Sequence, residues 1–304
     1  MARSPCTSGR RSLPTLPSVA SDGASGVLAL IATYRPGPAL VERIRSITSM
    51  VDDVMIADDA SPCTADPILR AAGSGVQLRR FDRNAGIARS LNAGLQRAVQ
   101  LHLPWLLTLD QDTILGADHV AQLIACSRLW QRNQTQPLGV IGPEVLRDTD
   151  GALAYPTKTD GALLRTAEVF QSGALWSVSA LTQIGGFDET LGIDAVDAAA
   201  CLALRRHGYA VLLAPGLTIE HGYGSGRAVR ILGRTVRATG HSPQRRTTMV
   251  RNRLRLAPAE FRESPMQGLR SLRRLAVNTA LAVTVEENRW AKAKASLRGL
   301  WPER

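Results

Sequence analysis

The sequence predicts an α/β protein whose central sheet is mostly parallel. From Val27 onward, short apolar runs alternate with stretches of helical spacing, the order that successive βαβ units require. The chain has 304 residues, 44% of them hydrophobic, which is enough apolar material for a sizeable core and argues against global disorder.

In order, "VLALIAT" (27–33) reads as a buried strand, "ALVERIRSITSM" (39–50) as a helix and "DVMIAD" (53–58) as a second strand. A helix near 64–72, a strand at "VQLRRF" (76–81), a helix over 86–101 and the strand "WLLTL" (105–109) follow. Later, "ALWSV" (174–178) reads as a strand, "AVDAAACLALRRHG" (195–208) as a helix closed by Gly208, and "AVLLAP" (210–215) as another strand. Beyond 226 the chain reads as helical and basic. Arg227, Arg230, Arg234 and Arg237 recur at the spacing of one helix face. Three regions are expected: a disordered tail (1–26), the sheet-bearing domain (27–225) and a basic helical extension (226–304). The tail has no continuous apolar core and is not read as a signal peptide.

The formal net charge is +11, and no Asp or Glu occurs from His221 to Ala259. Such a block calls for anions: ligand phosphates, a nucleic acid or an anionic membrane. No helix-turn-helix, zinc or aromatic RNA-binding signature accompanies it, so nucleic acid is not expected. Cys6, Cys63, Cys126 and Cys201 are scattered, which suits reduced thiols in a cytoplasmic protein. The best apolar candidate for a membrane span, Leu275 to Val285, is about half the ~20 residues needed.

In an open parallel sheet, ligands bind beyond the carboxyl ends of the strands. Those ends here are "TYRPG", "DDASP" and "DQDT". Asp110 and Asp112 are two residues apart and repel unless a cation lies between them or one keeps its proton. Two hard oxygen donors suit Mg²⁺ or Mn²⁺, although Asp is also common in turns. Asp58 and Asp59 close the second strand, where a carboxylate can accept from a nucleobase imide or serve a turn. "RNAGIARSLNAGL" (83–95) places Asn and Gly around a helix start, where backbone N–H groups can meet an anion or simply be capped.

Taken together, "ALIATYRP" (29–36), "IADDAS" (56–61), "NAGIARSLNAGL" (84–95), "LDQD" (109–112), "SGALWS" (172–177), "GGFDETLGID" (185–194) and "HSPQRRTTMVRN" (241–252) resemble the inverting glycosyltransferases of family 2. Within that family the pattern is most similar to bacterial rhamnosyltransferases. The resemblance implies the Rossmann-like GT-A fold, a nucleotide-sugar donor and a divalent cation. It implies that Asp110, Asp112 and His221 hold the cation. Thr33, Tyr34, Arg35, Asp58, Asp59, Asn84, Gly86 and Asn92 would form the nucleotide pocket. Asp197 would be the general base, with Asp188, Asp194, Arg246 and Arg251 on the acceptor or diphosphate side. Asp197 also reads as the cap of the helix that follows it. The expected reaction is transfer of L-rhamnose from dTDP-L-rhamnose to a saccharide or lipid-linked saccharide in cell-surface polysaccharide synthesis. A cytoplasmic location with peripheral contact at the anionic inner membrane fits such an acceptor and the basic extension.

The chain departs from the pattern at Ala199, Ala200 and Ala203, where the family usually has an acid, an aromatic and an Arg, and at Thr247 and Thr248, where aromatics are usual. These departures imply a remodelled acceptor site, or a nucleotide-sugar-binding homologue without turnover.

Overall fold

A computed structural model of the chain describes residues 26–147, 163–220, 227–231, 234–238 and 240–301. Of the expected tail, all but Gly26 lies outside them. Strand β1 (Val27–Thr33) is followed by α1 (Ala39–Thr48), β2 (Asp53–Asp58), α2 (Asp66–Ala72), β3 (Gln77–Arg80), α3 (Ile87–Gln100) and β4 (Trp105–Asp110). Next come α4 (His119–Asn133), β5 (Leu138–Arg147), β6 (Leu164–Arg165), β7 (Ala174–Ser177), α5 (Val178–Gln183), α6 (Val196–Arg206) and β8 (Ala210–Glu220). The chain continues through β9 (Arg227–Ile231), β10 (Arg234–Ala238), α7 (Pro243–Glu263), α8 (Pro265–Thr284) and α9 (Arg289–Arg298).

Eight strands form one sheet in the order β3-β2-β1-β4-β7-β5-β8-β6. It is mostly parallel, with β7 antiparallel to both β4 and β5, and β6 antiparallel to β8. The uninterrupted apolar runs have a simple cause: helices cover both faces. Alternate residues of β1 enter opposite layers. Leu28 and Leu30 join Met55, Leu106 and Trp176, while Val27, Ala29 and Ile31 join Val54, Ile56, Leu107 and Leu109. Each buried Val, Leu, Ile or Met among them stabilises the fold by about 1.5–3 kcal/mol.

Register then places the polar strand ends together. Thr33 lies level with Asp58, and Ala32 level with Asp110. Strand β1 has β2 on one side and β4 on the other, so a crevice opens where the chain order reverses.

The helix expected over Arg227–Arg237 is not there. The described residues of this segment form an antiparallel hairpin, with Val229 level with Val236 and Ile231 level with Arg234. The arginine spacing matched a helix, but the segment also carries Val229, Ile231, Thr235 and Val236, which favour strand backbone, with Gly233 between the two runs. From 243 onward the chain is helical as expected. Helices α7 and α8 open on Ser242 and Ser264, whose hydroxyls accept from Arg245 N and Gln267 N, and each has Pro in its first turn. Among the described residues, no helix is long and apolar enough to cross a membrane.

Candidate active site

Beyond the ends of β1, β2 and β4 lies an open cleft of about 1570 Å³. Single small-molecule sites run to roughly 300–1,000 Å³, so this one has room for two ligands. Its first wall is built by the sheet, its second by the start of α6 and by α7 and α8.

On the sheet side, Thr33, Tyr34, Asp59, Asn84, Gly86, Asp110 and Asp112 line the cleft. The Gln111 side chain behaves as one more peptide: Tyr34 N donates to its Oε1 (2.9 Å) and its Nε2 donates to Tyr34 O (3.1 Å). Arg43 donates to the Gln111 carbonyl (2.8 Å). The segment leading into β7 braces Asp110 from the other side. Ser172 Oγ accepts from Asp110 N (2.9 Å), and Gln171 Nε2 donates to Asp110 Oδ1. Gln171 Oε1 is buried with no partner among the described residues.

Adjacent acids take different parts. Asp58 is wholly buried and accepts from Thr33 Oγ1, Ser61 N, Ser61 Oγ and Arg80 Nε. It does not line the cleft; Asp59 does. Asp59 accepts from Ala85 N (2.9 Å) and Gly86 N (2.8 Å), fixing the turn before α3. Gly86 has φ +89°, and a Cβ there would come 2.4 Å from the Gly192 carbonyl oxygen, so this close approach requires glycine. Asn92 is also outside the cleft. It clamps the "GGFDE" turn, accepting from Phe187 N and donating to Phe187 O and Glu189 Oε1. Arg35 adopts a left-handed backbone (φ +52°) held by Ser61 and lines a smaller pocket beside the main one.

On the opposite side, Asp194 and Asp197 line the cleft with Glu168, His241, Arg245, Arg251, Arg253 and Arg274. The backbone entering α6 is strained. Asp194 (φ +67°) and Ala195 (φ +62°) are consecutive non-glycine residues in the left-handed region, at about 1–3 kcal/mol each. Asn252 holds them there: its buried Nδ2 donates to the carbonyls of Leu191, Ile193 and Asp194, each at 2.9 Å. Arg245 grips the Asp194 carboxylate (2.9 Å).

Asp197 is not the cap of α6, because Ala195 precedes the first helical residue; Asp197 lies within the first turn and accepts from Ala198 N (2.8 Å). Burial, and then the nearby Glu168 carboxylate, push it up to about 6, against the pull of Arg253. Glu168 itself stays ionised: burial raises it, but Arg253 and Arg274 hold it below the usual carboxylate range. Burial, reinforced by Arg245, lowers His241 to about 4, leaving it neutral near pH 7. Asp188 lies at the rim, caps the short turn Glu189–Leu191 and pairs with Arg255 (3.6 Å). Arg246 is 0% exposed and donates to Thr279 Oγ1 (2.7 Å), which removes it from the cleft wall. His221 lies outside the described residues.

Glu168, Gln171, Asn252 and Arg253 were not singled out from the sequence. Glu168 and Gln171 sit in an irregular stretch, while Asn252 ends a motif already quoted and Arg253 follows it.

Among the described residues, no group of three or more His, Cys, Asp and Glu is arranged to hold a metal. The donor set still fits one kind of ion. Mg²⁺ and Mn²⁺ are commonly held by one or two carboxylates and complete their shell with water and substrate phosphate. Asp110 and Asp112 supply that pair, and the Gln171 oxygen beside them is buried without a partner among the described residues.

The fold is similar to that of GT-A glycosyltransferases. Residues 29–126, the stretch from β1 into α4, match Glycosyl transferase family 2, to which the chain is similar over that stretch. It is 25% identical over 289 residues, 87% of this chain and 90% of the relative, to the "dTDP-rhamnosyl transferase RfbF" of Shigella flexneri. Among solved structures it is similar in fold to S. aureus TarS in complex with UDP-GlcNAc (TM-score 0.56, 12% identity, covering 88% of this chain and 79% of that one). It is also similar in fold to GalNAc-T7 with UDP, GalNAc and Mn²⁺ (TM-score 0.53, 16% identity, covering 74% of this chain), of which it spans about half, 47%.

Proposed function

We propose that the protein transfers L-rhamnose from dTDP-L-rhamnose, with inversion, to a saccharide or lipid-linked saccharide acceptor, and that the acceptor belongs to a growing cell-surface polysaccharide. The likeness to the Shigella relative supports the donor. The observation that carries the reading is the meeting in one cleft of the Asp110–Asp112 pair and an Asp197 whose proton affinity is raised to about 6.

Asp110 and Asp112 would hold Mg²⁺ or Mn²⁺, which offsets charge on a diphosphate leaving group. Thr33, Tyr34 and Asp59 line the nucleotide end. Asp197 takes the proton of the acceptor hydroxyl as the oxygen attacks the anomeric carbon from the face opposite the diphosphate. A base titrating near 6 is ionised at pH 7 yet basic enough to accept that proton. Arg253, close to Asp197, steadies the carboxylate before it is neutralised. In this reading residues 27–225 carry the donor side, and 226–304 complete the acceptor side.

Calorimetric titration with dTDP, UDP and GDP, each with and without Mn²⁺, tests the donor half. Metal-dependent binding of dTDP that is lost in Asp112→Ala is the expected result. Metal-independent binding, or undiminished transfer by Asp112→Ala, would sink it. Ala199, Ala200 and Ala203 favour one second reading, a binding protein without turnover. Product from dTDP-rhamnose above a heat-killed control eliminates that reading.

A further inference from the structure

The C-terminal helices leave an unusual surface uncovered. Of the fourteen exposed large hydrophobic residues among those described, nine lie between Phe261 and Trp301. Met266, Leu269 and Val277 follow one stripe of α8, with Arg270 and Arg273 beside them, all exposed. Trp290, Lys294 and Leu297 recur at i, i+4 and i+7 on α9, and Trp290 is 87% exposed. The two helices pack on α7 and on each other. Both reach the cleft, α8 through Arg274, Leu275 and Asn278, and α9 through the Leu300 and Trp301 that follow it.

Charge decides what covers this surface. The buried Lys292 pairs with Glu286 (2.7 Å) and Arg274 pairs with Glu168, so both are accounted for inside the protein. Among the described residues of α8, α9 and the turn between them, exposed Arg270, Arg273, Arg289, Lys294 and Arg298 outnumber the one exposed carboxylate, Glu287; Glu263, exposed at the end of α7, is already paired with Arg205. A second copy of the same surface would bring like charges together. An anionic bilayer meets the cations with headgroups and gives the tryptophans and leucines the interfacial layer that suits them.

From this we infer that α8 and α9 form a docking surface for an anionic lipid membrane, seating the acceptor end of the cleft at the bilayer. The use made of the contact rests on the proposed transfer to a lipid-linked acceptor; the contact itself rests on the surface.

Sedimentation with vesicles tests it. The full chain is expected to bind vesicles of phosphatidylcholine containing ~30% phosphatidylglycerol, to bind pure phosphatidylcholine far less, and to be released by ~0.5 M salt. Trp290→Glu combined with Leu297→Glu should lower partitioning on the order of tenfold while leaving the melting temperature unchanged. Trp130 and Trp176 are buried and Trp105 is half-buried against the core at the start of β4, so brominated lipid should quench chiefly Trp290 and Trp301. Equal partitioning of the double variant, no binding to anionic vesicles, or a stable dimer that shields Trp290 from lipid would overturn the surface. Transfer to a water-soluble acceptor, assayed alongside, separates the two readings. Lost docking with retained transfer condemns the surface alone, and docking without any transfer condemns the proposed reaction alone.

Discussion

Replacing Asp197 with Asn should abolish transfer and stabilise the protein. In the folded chain Asp197 is raised from 3.8 to about 6. Each pKa unit corresponds to 1.36 kcal/mol, so keeping this carboxylate ionised at neutral pH costs about 3 kcal/mol as an upper bound. The sign follows from linkage. A folded-state value above the unfolded one gives stability that is fully present below 3.8 and is lost as pH rises through about 6. Asparagine escapes that loss. It keeps an oxygen for Ala198 N and carries no charge beside Glu168. The variant should therefore gain between about 1 and 3 kcal/mol at pH 8, or roughly 2 to 5 °C in melting temperature for a chain of this length. The gain should shrink toward zero as pH falls toward 4. Melting scans of both proteins from pH 4.5 to 8, with a transfer assay at each pH, read both effects. A variant that melts at or below the wild type at pH 8, or that still transfers sugar, would refute the reasoning.

Other outcomes follow from the same cleft. The rate of transfer should fall below about pH 6 as Asp197 takes up its proton, and Glu168→Gln should move that limb to lower pH by removing the neighbouring charge; a limb that stays put or moves up contradicts it. Asn252→Ala should cost about 1–3 kcal/mol, because three carbonyls lose their donor, and should lower kcat more than it raises KM for the donor. Trp176→Ala should cost about 3–5 kcal/mol in denaturant unfolding, since the ring is fully buried, stacks edge-on against Phe187 and donates to Thr108.

Residues 27–110 were largely legible because their strands are covered on both faces and their ends are polar. Where the strand ends meet is a matter of register, and a regular parallel sheet made that readable from order alone. The choice between Asp58 and Asp59 was not readable. Neighbouring residues take opposite directions, and only the packing of Ser61 and Arg80 shows that Asp58 is enclosed. Asn92 matched a family motif, yet its partners lie 95 and 97 residues away, at Phe187 and Glu189. The hairpin at 227–238 was misread because arginine spacing was weighed above strand-forming residues. Helix α4 and strand β5 went unassigned; β5 contains Gly139, Gly142 and Pro143, which blur its pattern. Glu168 owes its place beside Asp197 to two arginines from α7 and α8, and no local pattern encodes that.

The paired hydrogen bonds between Gln111 and Tyr34 have a consequence for how a ligand is met. A side-chain amide that completes the peptide pairing beyond the last strand residue welds the mouth of the crevice before anything enters it. The sheet side of the cleft is thus preorganised, and little ordering of Tyr34 and Gln111 is left for a ligand to impose. Association there should be governed by shape and charge, with the adjustable steps confined to the far side, where a strained turn hangs on one asparagine.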